Sequence, residues 1–323
     1  MSGDVVEPAL ADIVRRFQEH PGRRAKASIG LVADALGPTD WLTGPGDDAA
    51  VVAGGPDGSM LAAGEAIWPP FVEADPHGAG IAAVVANVND VAAMGGQPLG
   101  LVDTIVGTEA VARAVLDGIR DAAGLYRLPV VGGHLTLRDG PPSVSAFIVG
   151  RAANVLASSR AVPGLTLLVA TASEGRLHPE FPFFSSLRER GEFVADDVAV
   201  LHAIAERGWC VAAKDISMAG LLGSLAMLLE PTRSGVAIDL GSIPRPSKVP
   251  IETWLDVFPS FGFLLCVPER HVERCRGAFA ERGLECAAVG ILDDTGRLRV
   301  RLGDDEAVVI DLAQQRVTGL GRG

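Results

Sequence analysis

Aromatic residues are scarce in this chain, at 5% of 323 residues with a single tyrosine. That argues against the stacked aromatic platforms that hold single-stranded nucleic acid. Positive charge is short as well. Lys and Arg number 28 against 40 Asp and Glu, for a formal net charge of −12. Gripping nucleic-acid phosphates requires a basic footprint, which this balance does not provide, so no nucleic-acid partner is expected. The four cysteines (Cys210, Cys266, Cys275 and Cys286) all lie in the second half, and none pairs at Cys-x-x-Cys spacing. Neither a zinc site nor a disulfide framework is signalled. A reducing, cytoplasmic setting fits. The opening residues are acidic and polar, unlike a signal peptide. No apolar run reaches the ~18 residues of a membrane span, so no membrane partner is expected.

Small and apolar residues fill the gap. Hydrophobic residues make up 48% of the chain and charged residues 21%, and 39 residues are glycine. Such a chain can bury a large core. Its small residues suit helices packed closely on sheets, and sites lined by backbone. At roughly 100–200 residues per domain the length predicts about two domains.

The chemistry gathers around Gly44-Pro-Gly-Asp-Asp-Ala-Ala-Val-Val52. Two adjacent carboxylates, Asp47 and Asp48, sit in a glycine turn that runs into an apolar strand. Glycine lets the backbone take positive φ and approach a ligand, which makes Gly46 a candidate ligand contact. Side-by-side acids are either a solvated turn or the seat of a cation facing something more negative. Magnesium binds in the second way, through one or two carboxylates plus substrate phosphates.

In chain order, residues 5–36 read as two helices broken at Pro21-Gly22. Ile13, Val14 and Phe17 recur at helical spacing, as do Ile29, Val32, Ala33 and Leu36. Gly37-Pro38 ends the second helix. Strands are predicted at 49–53 and 60–64, with Glu65 just past the second. His77–Met94 is the clearest helix, rich in alanine and valine. Asn87 and Asp90 share a face near its end. An acid so deep in an apolar helix is costly unless it caps a loop, is paired or binds a metal. A strand at 98–106 carries Asp103. A helix at 109–125 follows, then a strand at 128–131 that runs into Gly132-Gly133-His134. That glycine pair reads as a backbone-lined site or as plain structure. A strand at 143–150 closes the first half, and 152–164 reads as the connection to the second.

The second half opens with a strand at 165–170. The stretch Glu174–Phe193 holds His178, Phe181, Phe183, Phe184 and Phe193. It reads as a loop pinned to the core or as a pocket wall. A helix at 195–208 precedes Asp215 and Ser217, which stand just before a helix at 219–229, where an anion or a cap is favourable. Strands near 235–240, 258–265, 285–291, 297–302 and 306–310 and helices near 251–256 and 269–282 complete the chain. This order predicts an α/β (α+β) architecture with a ferredoxin-like second domain. The expected domains are 1–154 and 155–323.

Gly46-Asp-Asp-Ala-Ala-Val51, followed by Asn87-Val-Asn-Asp-Val-Ala-Ala-Met-Gly-Gly-Gln-Pro98, resembles the aminoimidazole ribonucleotide (AIR) synthetase superfamily. That group includes thiamine monophosphate kinase, selenophosphate synthetase and a hydrogenase-maturation enzyme. Val131-Gly-Gly-His134 falls where the family has a Gly-Gly-acid or Gly-Gly-His element. Arg160–Gly164 resembles the Arg-x-x-Pro-Gly entry to the second domain. Asp215-Ile-Ser-Met-Ala-Gly-Leu-Leu-Gly resembles the Asp-Ile-Ser-Asp-Gly-Leu element of the kinase branch. The matches run in order from about residue 44 to 265.

The resemblance implies a two-domain subunit whose N-terminal α/β domains pair into a barrel-like homodimer. It implies ATP in a cleft and Mg2+ held by acids. By position the metal ligands would be Asp47, Asp48, Glu65 and Asp90. Gly46, Asn87, Gly132, Gly133 and Ser217 would line the nucleotide site, with Asp48, His134 and Asp215 catalytic. His178, Phe183, Phe184 and Asp103 would face a small-molecule substrate. The implied activity is phosphorylation or activation of a carbonyl, amide or phosphate oxygen. A thiamine-monophosphate-kinase-like transfer and a non-catalytic nucleotide-binding regulator are the alternatives.

There are departures. The Gly-Val-Gly-Thr-Lys signature is absent where Gly64-Glu65-Ala66 stands. The first cysteine is Cys210, and the closing residues carry none. Met218 replaces the kinase branch's second aspartate, and His134 replaces its acid.

Overall fold

The computed structural model describes residues 10–36, 46–55 and 58–320. Gly44, Pro45, Gly37-Pro38 and the helical expectation for 5–9 lie outside them. The chain opens with α1 (Leu10–Glu19), α2 (Pro21–Lys26) and α3 (Gly30–Leu36). The first sheet is built from β1 (Ala50–Gly55), β2 (Gly58–Ala66), β3 (Gln97–Gly107), β4 (Val130–Leu137) and β5 (Ser143–Ala152). Its order is β1-β2-β5-β3-β4. Only β3 and β4 run parallel. Helices α4 (Pro69–Ala74), α5 (Pro76–Ala93) and α6 (Glu109–Leu125) connect these strands.

Composition explains why α5 sits at the centre. A helix that is apolar nearly all round belongs in the interior, and fourteen of its residues are buried. Its N-terminus is capped by Asp75, whose carboxylate accepts the Gly78 N–H at 2.8 Å. Only hydrogen at Gly80 permits α6 so near, because a Cβ there would stand 2.2 Å from the Val115 carbonyl oxygen.

The second half contains β6 (Thr166–Thr171), β7 (Arg176–Leu177), β8 (Phe183–Ser185), α7 (Leu187–Arg190), α8 (Val194–Glu206), β9 (Ala212–Asp215), α9 (Gly220–Leu229) and β10 (Gly235–Asp239). It continues with α10 (Ile251–Trp254), β11 (Phe258–Pro259), β12 (Gly262–Val267), α11 (Val272–Ala280), β13 (Glu285–Asp293), β14 (Arg297–Leu302) and β15 (Asp305–Asp311). The large sheet has the order β15-β14-β10-β13-β6-β12-β9. Within it, β13-β6-β12-β9 is antiparallel throughout. With α8 and α11 as crossovers this is the expected ferredoxin-like arrangement. Helix α1 packs on this half: Ile13 and Phe17 join the core of α9, β10 and β14, and Arg16 pairs with Asp256.

Several sequence expectations need correction. Leu31, Val32 and Leu36 of α3 are exposed, so its apolar spacing does not mark a buried face. Glu65 lies inside β2 rather than past its end, and Gly132-Gly133 lie inside β4 rather than beyond a strand that ends at residue 131. Phe183 and Phe184 are core residues, 6% and 2% exposed, and do not face a substrate cleft. Phe183 packs on Phe258 with ring centroids 5.3 Å apart, and Phe184 meets Trp254 edge-on at 5.1 Å. All four cysteines are free; three are buried and Cys286 is half-buried. Burial pushes the thiols of Cys266, Cys275 and Cys286 up to about 12, and raises Cys210 strongly as well.

Emptying a site filled by a buried aromatic leaves a cavity that the surroundings close only in part. Phe184→Ala is therefore expected to lose about 3–5 kcal/mol of stability. Urea denaturation measures this, and a loss under about 1 kcal/mol would reopen the pocket-wall reading.

Candidate functional site

Three carboxylates from distant parts of the chain meet between the two sheets. One oxygen each from Asp48, Asp90 and Asp215 lies within 4.8 Å of the others. Each reaches the site from the end of an element. Asp48 follows Gly46, whose φ of +93° lets the chain turn before β1. Asp90 is on the last turn of α5, and Asp215 is the last residue of β9.

Lys214 completes the cluster. Its ammonium bonds Asp48, and both side chains are about 95% buried. The second Asp48 oxygen accepts the Asp215 backbone N–H at 3.1 Å. Asp47 is turned elsewhere: one of its oxygens accepts the Ser158 N–H at 2.8 Å and also the Ser158 hydroxyl. The adjacent acids expected to act together are thus split. Asp48 enters the cluster, whereas Asp47 ties the turn to the inter-sheet connection.

The electrostatics follow from burial. Asp215 is pushed up to about 8, chiefly by desolvation and then by the charge of Asp48. Asp90 is raised well above the usual carboxylate range by burial, then by Asp215, Glu65 and Asp48. Burial also raises Glu65, against an opposing pull from Lys26. For Lys214 burial lowers the ammonium's pKa, but Asp48 and Asp215 more than offset this and hold it above its ordinary value.

A cation would relieve this crowding, and the donor set fits one. Three buried carboxylate oxygens suit a hard divalent ion such as Mg2+. Two buried oxygens nearby, Oδ2 of Asp90 and Oδ1 of Asn87, have no hydrogen-bond partner among the described residues. Unpartnered buried oxygens in a native fold call for such an explanation. Asn87 spends its amide N–H on the Ala83 carbonyl at 2.9 Å, and Asn89 donates to the Ser260 carbonyl at 3.3 Å.

The other expected residues are placed differently. Strand register sets Glu65 and Asp103 on either side of Ala146, on the helix-covered face of the first sheet. Asp103 pairs with Gly133, where a Cβ would stand 2.7 Å from the carboxylate, and burial raises its pKa. Gly133 therefore makes room for Asp103. His134, one residue on, points to the opposite face and bonds Thr136 at 3.2 Å. It does not join the acids within this chain. His178 contacts Asp75 at 3.3 Å and packs on Phe71, pinning the α4–α5 corner rather than facing the cluster. Ser217 donates its N–H to Ser224 at 3.0 Å.

Lys214 and Ser158 went unassigned in the sequence. A lysine beside an aspartate at the end of an apolar strand, Ala-Ala-Lys-Asp, was the available signal for Lys214. Ser158 had none, because its role depends on a turn 111 residues away.

A two-domain α/β chain with buried carboxylates converging between its halves belongs to a class that can hold a metal ion. Residues 46–152 match the N-terminal domain of AIR synthase related proteins, and residues 188–303 match their C-terminal domain. The chain belongs to this family. An uncharacterised protein of Synechocystis sp. is 32% identical over 85% of this chain and 86% of its own length. The fold is shared with T. maritima PurL complexed with ADP, at a TM-score of 0.76 and 20% identity. That match covers 95% of this chain and 52% of PurL, so the chain spans about half of that protein. It is shared too with AaThiL complexed with AMPPCP and TMP, at a TM-score of 0.66 and 18% identity, covering 86% and 92% of the two chains.

The raised Asp215 carboxyl has a consequence for folding. An unfolded aspartate titrates near 4, so between about 4 and 8 the native state binds more protons than the unfolded one. Stability without divalent cations therefore falls as pH rises through that window. Urea unfolding in chelator at pH 5 and pH 8 should show the loss, and Asp215→Asn should flatten it. An equal pH slope in both proteins would refute the assignment.

Proposed function

We propose that this chain is an ATP- and Mg2+-dependent enzyme that phosphorylates or otherwise activates a small molecule. The convergence of Asp48, Asp90 and Asp215 carries this reading. Nucleotides bound to relatives of the same fold support it. Asp48, Asp90 and Asp215 would hold the ion, with Glu65 close by and Asn87 offering its free oxygen. When bound, the ion supplies neutralisation of phosphate charge, on which phosphoryl transfer largely depends. The chain's own residues do the positioning. Lys214 fixes the Asp48 carboxylate, and Asp47 with Ser158 fixes the turn that presents it. Burial keeps water from screening the charges. Without the ion, Asp215 carries a carboxyl pushed up to about 8 by burial, and holding the ion would require it ionised.

The acceptor oxygen would be a carbonyl, amide or phosphate, and a thiamine-monophosphate-kinase-like transfer falls within this class. Met218, 42% exposed beside Ser217, favours a second reading: a nucleotide-binding regulator without turnover. Phosphate release from Mg·ATP in the presence of candidate acceptors separates the two.

We also propose a homodimer through the first sheet. Val102, Phe147 and Val149 share its uncovered face and are 36%, 47% and 43% exposed. Apolar surface of this kind commonly marks an interface, and a twofold pairing would cover it on both copies. A monomer by light scattering at micromolar concentration would overturn the dimer. No helix among the described residues is long and apolar enough to cross a membrane.

Asp90→Asn is expected to weaken Mg·ATP binding by about 2 kcal/mol, as removal of a charged partner does. Calorimetry measures it. Unchanged affinity in both Asp90→Asn and Asp48→Asn would remove the basis of the proposal.

A further inference from the structure

Lys214 is the single buried lysine or arginine among the described residues. It lies on β9, the last strand of the large sheet, so one side of β9 has no neighbouring strand. Side chains alternate along a strand. Ala212 packs with Leu264 in the core around α9, whereas Ala213 packs with Phe263 in the core around α5. Lys214 therefore leaves β9 on the α9 face, and Asp215 leaves it on the α5 face. Asp48 stands at the open edge between them, where it accepts the Asp215 N–H at 3.1 Å and binds the Lys214 ammonium.

The two faces are not equivalent. On the α9 side the site is closed: both Asp48 oxygens accept protein donors, and the Asp48 and Lys214 side chains are 5% and 4% exposed. On the α5 side Oδ2 of Asp90 and Oδ1 of Asn87 have no hydrogen-bond partner among the described residues. Oxygens free to bind an ion are therefore on that side. Three ionised carboxylates and one ammonium leave two negative charges, which one divalent ion cancels. Fixing Asp48 in place does not by itself require a buried charge, because a neutral donor would serve and a buried ion pair adds little net stability. A permanent ammonium matters where other charges come and go.

We propose that Lys214 sets the order of loading: its ammonium stands in for part of the metal charge, so that the site takes up its divalent ion together with the nucleotide rather than ahead of it. The proposal rests on the ATP reading above. Bound through Asp48 to the same cluster, the ammonium repels a bare divalent ion, and charges act strongly across a buried site. A polyphosphate arriving with the ion reverses the balance, because its negative charge is attracted by the lysine that repels the ion alone.

Equilibrium titration of the full chain with Mn2+ at one pH, alone and with AMP-PNP, tests it. Lys214→Met should bind Mn2+ alone about tenfold more tightly than wild type, and Mn·AMP-PNP about threefold more weakly. Lys214→Arg keeps the charge and should stay near wild type in both. The opposed shifts separate this role from a merely structural one, whose loss would weaken both. If Lys214→Met is too unstable to titrate, the rise in melting temperature on adding Mn2+ reads the same difference, and it should be larger in the variant than in wild type. Unchanged or weaker binding of Mn2+ alone, or failure of Lys214→Met to fold at any Mn2+ concentration, overturns the role of Lys214. If wild-type protein takes up no Mn2+ even with AMP-PNP, the ATP reading itself fails, which is a distinct result.

Discussion

Asp48 is the point on which the two halves of the chain depend. Its carboxylate leaves the first sheet and is held entirely by the second: Lys214 on one oxygen, the Asp215 N–H on the other. A buried ion pair of this kind adds little net stability as a whole, yet removing one partner costs about 3–5 kcal/mol. The pair therefore acts as a register. With it in place, β9 ends where Asp215 meets Asp90, and the sheets cannot slide without exposing an unpaired charge. The bond from Asp47 to Ser158 and that from Asn89 to Ser260 repeat the same stitching on either side.

The cluster is electrostatically unbalanced. Asp48, Glu65, Asp90 and Asp215 face one buried lysine, Lys214. Folding bears that excess through raised carboxyl pKa values, that is, by holding protons that water would take. Strained charge of this sort concentrates at functional sites because a ligand can release it. The large apolar cores around α5 and α9 supply the stability that offsets it.

Much of this was legible in the sequence, and the misses have physical causes. Helices α5 and α6 declared themselves because their apolar faces and caps are local properties. The ferredoxin-like half was readable from element order alone. Asp48 stood out as one of two adjacent acids in a glycine turn, and Asp90 as an acid deep in an apolar helix. Lys214 was passed over because its meaning lies in a partner 166 residues away. Gly132-Gly133 was expected past the end of its strand because glycine signals open space as readily as positive φ; here Gly133 makes the space for Asp103. The phenylalanines of 181–184 were ambiguous because composition does not distinguish a pocket wall from a core. His134 was misplaced because pairing register decides its face, and register is not written in a single strand.

The four thiols have a further consequence. All are free, none is exposed, and each is held far from the thiolate form by burial. Only the thiolate attacks alkylating reagents, so the native chain is chemically silent to them near neutral pH. Three of these cysteines, on β12, α11 and β13, lie in or against the ferredoxin-like sheet, and the fourth, Cys210, lies just before β9. Their alkylation thus serves as a clock for the opening of that sheet. A cysteine introduced on the exposed surface would carry a label against almost no background.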